Sequence, residues 1–256
     1  MPLAALCALL HASALWAADA TEAQVDGPWE GQLAAGVVAT SGNSESRSQN
    51  LEYTLVYDQA DDDWRFKSTG LALQVATEIE IEQLDGSTRS ETRTTAENYR
   101  VDLRAERRID EANYLFGTVD FRKDLFGAVR TSTSQTLGYG RRLIAREDTA
   151  LDLEIGAGAR QQELQEDGAE NQEAIGELGL NFLTQFGDRL QLGQRINVKS
   201  GADNTVSEGQ TRLRLAIIGA LWAQLGFDVR HSAEVGAGEE ATDTATSLSL
   251  LWEFAE

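Results

Sequence analysis

The chain has 256 residues, a formal net charge of −20, and two prolines beside 23 glycines. An acidic protein of this kind is a poor nucleic-acid binder, because such binding needs clustered Lys and Arg to displace counterions from phosphates. Proline cannot donate a hydrogen bond to a strand ladder, so its scarcity favours long, continuous β-sheet.

Residues 1–20 have the features of a secretory signal peptide. The apolar stretches Leu3–Leu10 and Ala12–Trp16 precede Ala18-Asp19-Ala20, which has the small-x-small form of a cleavage site. Cys7, the single cysteine, lies in this leader, so we expect a mature chain without disulfide or thiol chemistry. A short N-terminal segment, residues 21–28, then leads into one predicted domain, residues 29–256.

From Trp29 onward, apolar and polar residues alternate in about twelve segments, each of about ten to fifteen residues, close to the length of a tilted barrel strand. The predicted strands are Trp29–Ala39, Ser46–Tyr57, Trp64–Ile81, Arg93–Ile109, Tyr114–Lys123, Thr131–Leu143, Ala150–Gln161, Ala174–Phe186, Arg189–Lys199, Gln210–Leu221, Leu225–Ala233 and Thr244–Phe254.

The two faces of these strands differ in polarity. Thr244–Phe254 shows the pattern clearly, since Leu248 and Leu250 share one face and Ser247 and Ser249 the other. In Trp64–Ile81 the predicted outward residues are Leu71, Leu73 and Val75, with Ile79 as a further candidate. The opposite, charged face is predicted to line a lumen and carries Arg100, Asp102, Arg104, Glu106, Asp152, Glu154, Arg195, Arg212 and Arg214.

Short and long connections alternate along the chain. Asp110–Asn113 and Trp222–Gln224 are predicted short turns, whereas Glu82–Glu91, Gln162–Asn171 and Ser200–Glu208 are predicted to be longer and polar. Short turns at one rim, long loops at the other and aromatic residues near the rims are typical of outer-membrane barrels. The predicted rim aromatics are Trp29, Tyr57, Trp64, Tyr114, Trp222, Trp252 and Phe254.

These observations predict an all-β fold, an antiparallel up-and-down transmembrane β-barrel of about 12 strands, located in the outer membrane. A soluble sandwich would place the apolar face inward and the charged face in water. Periodicity alone does not separate the two, but the leader, the strand lengths, the loop alternation and the rim aromatics favour the barrel.

A family resemblance rests on the first predicted strands. Trp29-Glu30-Gly31 opens the first strand, Ser41-Gly42-Asn43 forms a turn followed by serine and acidic residues, and Trp64 opens the third strand. In these positions the chain resembles the salt-induced outer membrane proteins, a family from Gram-negative bacteria without a known function. The resemblance implies an outer-membrane barrel and brings no catalytic residues with it.

Few residues suggest chemistry. Ser41, Gly42 and Asn43 are interpreted as a tight turn, because Gly and Asn tolerate positive φ. His231 is the only histidine outside the leader, and Ser232 and Ser247 are candidate nucleophiles for it. Two acidic clusters could bind Ca²⁺ or Mg²⁺, although solvated loop charge is the preferred interpretation; they are Glu78, Glu80, Glu82 and Asp85, and Glu163, Glu166, Asp167 and Glu170. We therefore predict no metal, no cofactor and no enzymatic activity.

Three functions remain open from the sequence. The first is a non-enzymatic, porin-like barrel that acts as a narrow passive channel or as a structural envelope component in salt stress. The second is an outer-membrane hydrolase that uses His231, and the third is a soluble periplasmic protein that binds an apolar ligand. The expected partners of the barrel are outer-membrane lipid, lipopolysaccharide and, during insertion, the barrel-assembly machinery; nucleic acid is not expected.

Overall fold

A computed structural model of the chain describes residues 28–40, 46–59, 63–82, 88–127, 129–235 and 241–255. Within them, twelve strands close into one antiparallel barrel in which each strand pairs with its neighbours in chain order and β1 pairs with β12. The strands are β1 (Trp29–Thr40), β2 (Ser46–Asp58), β3 (Trp64–Glu82), β4 (Thr88–Arg108), β5 (Asn113–Asp124), β6 (Val129–Ala145), β7 (Thr149–Leu164), β8 (Glu170–Phe186), β9 (Leu190–Gly201), β10 (Thr205–Ile218), β11 (Leu221–Ser232) and β12 (Thr242–Ala255).

The predicted up-and-down barrel and its strand number are thus confirmed. The signal peptide predicted at residues 1–20 and the turn residues Ser41, Gly42 and Asn43 lie outside the described residues. In the part of the chain that is described, no helix has the length and apolar character needed to cross a membrane.

The outer surface of the barrel is apolar. Leu137 is 76% exposed, Leu248 61% and Ile155 59%, and each lies at an outward position of its strand. Closure pairs the backbone groups of every strand with a neighbour on both sides, as hydrocarbon requires. Large apolar side chains that face away from a closed, ionic interior are explained by contact with lipid, and the chain is accordingly an outer-membrane barrel.

Aromatic residues cluster at the rim where β1 begins and β12 ends, called here the periplasmic rim; the opposite end is the extracellular rim. The Trp29 and Tyr57 rings lie 5.1 Å apart, and the Trp64 and Phe66 rings are stacked at 6.0 Å. Trp252, on β12, continues this belt beside Phe254. These side chains share the outward face of β1, β2, β3 and β12, as expected for an interfacial girdle.

Two predicted rim aromatics face the interior instead. Tyr114 is only 5% exposed and donates a hydrogen bond to Glu154 inside the barrel. Trp222 lies opposite Leu251, which is 2% exposed on the interior face of β12. The prediction placed aromatic residues near strand ends in the girdle. The position of each residue in the strand alternation, however, decides whether its ring points outward or inward.

The predicted outward face of the third strand is also wrong. Leu71 pairs with Arg100 on β4 and with Glu52 on β2, which places it on the interior face. Leu73 and Val75 follow the same alternation up to a β-bulge between Val75 and Ala76. The prediction followed the apolar residues of β3. The outward face of this strand is instead the one that carries Phe66, which is 48% exposed.

Several strands extend further than predicted. β3 has 19 residues and β4 has 21, whereas about 9–11 residues suffice to cross the hydrocarbon layer. These two strands therefore extend well past the membrane at the extracellular rim and include half of the loop predicted at Glu82–Glu91. At the periplasmic rim, the turn predicted at Trp222–Gln224 lies instead at residues 219–220, where Gly219 has a φ of 52°.

The periplasmic turn between β4 and β5 is held by one side chain. Asp110 accepts hydrogen bonds from the Asn113 side chain at 2.8 Å and from the Ala112 backbone N–H at 2.9 Å. These donors stabilise the charged carboxylate, with the Asn113 side chain contributing most, and hold the pKa of Asp110 below its ordinary value. The turn is thus fixed at the point where the chain reverses.

Candidate functional site

The barrel interior is bridged by ion pairs between strands that are not neighbours. Arg104 on β4 reaches Glu154 on β7, and Arg100 on β4 reaches Glu208 on β10. Side chains of non-adjacent strands can meet only across the interior of a closed sheet. The strand face that carries Arg100 and Arg104 therefore faces the lumen.

The structure places the nine charged residues predicted for the lumen on interior positions of their strands. Arg100, Asp102, Arg104 and Glu106 alternate along β4 with the outward residues Val101 and Leu103. Three of the nine, Arg104, Glu106 and Glu154, form one cluster near the periplasmic rim; Arg212 and Arg214 belong to a second group across the barrel, and the other four make separate contacts. Their positions are given by the ladders of β4, β7, β9 and β10.

Glu154 is the centre of a buried cluster in the periplasmic half. Its carboxylate accepts hydrogen bonds from both terminal nitrogens of Arg104, at 2.8 and 3.3 Å, from the Tyr114 hydroxyl at 2.7 Å and from Asn181 at 3.0 Å. Arg104 also donates from Nε to Glu106 at 2.6 Å. This bidentate, charge-assisted arrangement fixes the side chains that narrow the lumen.

Aromatic rings pack against this cluster over glycines of the next strand. The Phe116 ring centroid lies 4.3 Å from the guanidinium carbon of Arg104, a cation–π contact. Gly138 and Gly140 on β6 lie directly opposite Phe116 and Tyr114. A Cβ at Gly140 would come within 2.2 Å of the Tyr114 ring, so the missing side chain provides the space that the ring occupies.

A second polar group lies across the barrel from Glu154. Arg212 is 3.0 Å from Asp228 and 3.7 Å from Glu52, so it links β10, β11 and β2. Arg214 donates to Gln224 at 2.8 Å and to Gln191 at 3.2 Å. Gln224, which is 1% exposed, completes the chain by donating to Glu52.

The remaining predicted residues join other contacts. Asp152 accepts a hydrogen bond from Arg142 at 3.2 Å. Arg195 lies on β9 opposite Asn181 and Gln210, on the same interior face. Asp102 is 2.9 Å from Arg100. The interior is thus divided into several small ionic groups rather than one continuous stripe.

The extracellular half contains a cluster that the sequence reasoning missed. Glu208 is approached by three arginines of three strands, Arg122 at 2.6 Å, Arg100 at 3.2 Å and Arg230 at 3.4 Å. Lys199 pairs with Asp120 close by. The sequence does contain evidence for this cluster, because Glu208 is an even number of residues from Arg212 and Arg214 and therefore lies on the same strand face. The polar composition of residues 200–208 nevertheless predicts a loop there.

His231 has no triad geometry in the described residues. Its Nδ1 is 2.9 Å from the Thr242 hydroxyl, and the side chain is exposed at an outward position of β11. Ser232 lies on the opposite face and hydrogen-bonds to Glu234 and Asn204. Ser247 is five residue pairs away along the β11–β12 ladder. The structure therefore does not bring the proposed base and nucleophiles together.

The acidic cluster of Glu163, Glu166, Asp167 and Glu170 lies within the described residues, where no group of three or more metal-ligating side chains is found. Glu163 is instead 3.5 Å from Arg130 and accepts a hydrogen bond from Thr131. The side chains of Glu78, Glu80, Glu82 and Asp85 lie outside the described set.

Comparison with known proteins gives one family and one curated relative. The family described as "Protein of unknown function, DUF481" matches residues 33–254. An uncharacterized protein of Escherichia coli K12, YdiY, is 26% identical over 224 residues, which cover 87% of this chain and 82% of the relative.

Solved barrels of low identity are similar in fold. The translocator domain of the autotransporter NalP from Neisseria meningitidis is 9% identical, with 89% of this chain and 87% of that chain covered and a TM-score of 0.45. The NanC porin is 8% identical, with coverages of 88% and 97% and a TM-score of 0.47. An outer membrane channel from Pseudomonas putida F1 is 12% identical, with coverages of 89% and 94% and a TM-score of 0.47. Identities this low carry no information about activity.

Proposed function

This chain belongs to the DUF481 family of proteins of unknown function, and from that premise we propose that it is a narrow passive channel of the outer membrane without enzymatic activity. The membership confirms the resemblance predicted from the Trp29–Trp64 segment. Because the family supplies no activity, the proposal depends on the barrel's own interior.

The observation that carries the proposal is the set of ion pairs that cross the lumen. A small barrel that served only as a structural element could be filled with apolar side chains, and replacing a buried ion pair by well-packed hydrophobic residues is often neutral or stabilising. Here the lumen instead contains Arg104–Glu154, Arg100–Glu208 and Arg212–Glu52. A lumen lined with ionised groups offers hydration and counter-charges to a passing ion.

The same side chains make the channel narrow. Twelve strands enclose more space than the filled barrels of about 8 strands and less than the open porins of about 16–18. Within that space Tyr114, Phe116 and the Arg104–Glu154 pair lie against each other in the periplasmic half. The path for solutes is therefore restricted there.

Planar-bilayer recording tests the channel. We expect small, reproducible conductance steps from the purified, refolded protein, and larger steps when Arg104→Ala and Glu154→Ala are combined, because both partners of the narrowing pair are removed together. The matched control combines Arg93→Ala with Glu91→Ala, an exposed pair at 3.3 Å in the extracellular extension of β4, far from the narrowing pair, and should conduct like the wild type. Flat traces from the wild type across a range of salts and voltages would refute the channel.

Insertion into the outer membrane requires partners that are common to outer-membrane barrels. The outward apolar face is surrounded by membrane lipid, and we include lipopolysaccharide of the outer leaflet and the barrel-assembly machinery in the proposal. Depletion of that machinery should leave the chain sensitive to protease and without heat-modifiable gel migration. Normal heat modifiability in depleted cells would contradict the dependence.

A further inference from the structure

A cavity in the extracellular half of the lumen is lined by more cations than carboxylates. The space between its lining side chains is about 470 Å³, a figure that includes solvent continuous with the lumen. Five cationic side chains line it, namely Arg100, Arg122, Arg160, Lys199 and Arg230. Two carboxylates, Asp120 and Glu208, line the same space. A net positive cavity therefore lies inside a protein whose formal charge is −20.

Carboxylates outside this lining offset part of its charge. Asp102 is 2.9 Å from Arg100, and Glu173 pairs with Arg160. Glu177 lies in the adjoining space together with Arg195. The cations of the cavity are concentrated at Glu208, where one carboxylate faces three guanidinium groups.

Hydrogen-bond donors are in larger excess than charge. Each guanidinium carries five N–H donors, whereas a carboxylate offers about four acceptor positions. Arg122 donates to Glu208 at 2.6 Å, and Arg100 divides its donors between Asp102 and Glu208. The Nε atom of Arg230 is buried and makes no hydrogen bond, although it is 3.4 Å from Glu208. Planar donor pairs of this kind fit the oxygens of a carboxylate or phosphate group.

We propose that this cavity is a binding site for a small anionic solute with two acidic groups or a phosphate group, which enters from the extracellular rim. This site specifies the class of solute for the proposed channel. Transport of the solute depends on the channel proposal, whereas binding of the solute does not. Binding itself requires the arginines to be free to reorient from Glu208 toward the incoming oxygens. Arg122 and Arg230 are the arginines best placed for this, because each reaches the cavity from near the extracellular end of its strand and keeps 22% and 29% of its side chain exposed, respectively.

Equilibrium dialysis of radiolabelled inorganic phosphate against the detergent-solubilised full chain measures binding without requiring conduction. We expect saturable binding to the wild type and about a tenfold weaker Kd when Arg122→Gln and Arg230→Gln are combined, a change equivalent to about 1.4 kcal/mol. The control combines Arg93→Gln with Arg146→Gln, which removes the same charge from exposed positions, and should bind like the wild type.

A third variant protects the test against misfolding. Glu208→Gln removes the internal carboxylate that competes for the arginines, so phosphate should bind more tightly, by about tenfold. A gain of affinity cannot come from an unfolded barrel. Heat-modifiable gel migration checks folding of each variant before dialysis.

The outcomes separate the site from the channel. Weaker binding in the arginine variant, tighter binding in Glu208→Gln and an unchanged control support the site, even if bilayer traces of the same preparations are flat and the channel is refuted. Absence of saturable binding to the wild type, or an equal loss in the control, overturns the site. Reversal potentials in a KCl gradient then report whether a conducting wild type prefers anions and whether the arginine variant loses that preference.

Discussion

Removal of the Glu154 carboxylate should destabilise the barrel strongly. Glu154→Ala eliminates four hydrogen bonds and leaves Arg104, whose side chain is 9% exposed, with Glu106 as its remaining carboxylate partner. Breaking a buried ion pair from one side costs about 3–5 kcal/mol. Tyr114 also loses its acceptor, which adds to the cost, whereas the retained Glu106 reduces it. We expect a loss of about 4 kcal/mol of unfolding free energy, in the middle of that range.

Urea unfolding in lipid vesicles, followed by tryptophan fluorescence, measures this change. For an m-value of about 2 kcal/mol/M, the midpoint should fall by about 2 M. Adding Arg104→Ala to Glu154→Ala removes the unpaired charge, so the double variant should be less destabilised than the sum of the single variants, by about 2 kcal/mol. A single variant within about 1 kcal/mol of the wild type, or strict additivity, would refute the reasoning.

Three further outcomes are expected. Gly140→Ala places a Cβ against the Tyr114 ring and should lower the unfolding free energy by about 1–3 kcal/mol in the same assay. Gly176→Ala, with open space at its Cβ, should leave the unfolding free energy nearly unchanged. Leu137→Arg, at the middle of the outward face of β6, should lower the unfolding free energy in a bilayer by about 2–4 kcal/mol. Ile218→Arg, at the rim, should lower it by about 0–1 kcal/mol, and equal losses in the two variants would contradict the lipid-facing assignment. His231→Ala should leave any lipase or protease activity of purified protein unchanged, and a loss of activity would revive the hydrolase hypothesis.

The strand pattern was predictable because lipid imposes a simple rule on the outer face. Leu137, Leu248 and Trp252 belong to sets of outward residues that recur at every second position, with mostly small or polar residues between them, so period and face can both be derived from the sequence. β3 breaks the rule, since its interior side carries Leu71 and its outward side carries Ser68. A single strand contains no information on which of two mixed faces is outward, and only its pairing partners decide.

The interior contacts were much less predictable. Alternation places Arg104 and Glu154 on interior faces, but their meeting depends on the stagger of strands separated by tens of residues in the chain. Glu208 was missed because loop composition at residues 200–208 outweighed its alternation with Arg212 and Arg214. Cross-barrel neighbours of this kind are determined by closure, which local sequence does not encode.

The closing ladder between β1 and β12 has a consequence for biogenesis. In the described residues its register runs from Glu30–Ala255 to Ala35–Leu250, whereas the β3–β4 ladder runs from Trp64–Arg107 to Glu82–Thr88. Every other ladder joins consecutive strands, whereas this one joins two strands that are far apart in the chain, so its formation carries the largest cost in loop-closure entropy. We therefore expect the cylinder to close last along this short seam, and to open there first under load.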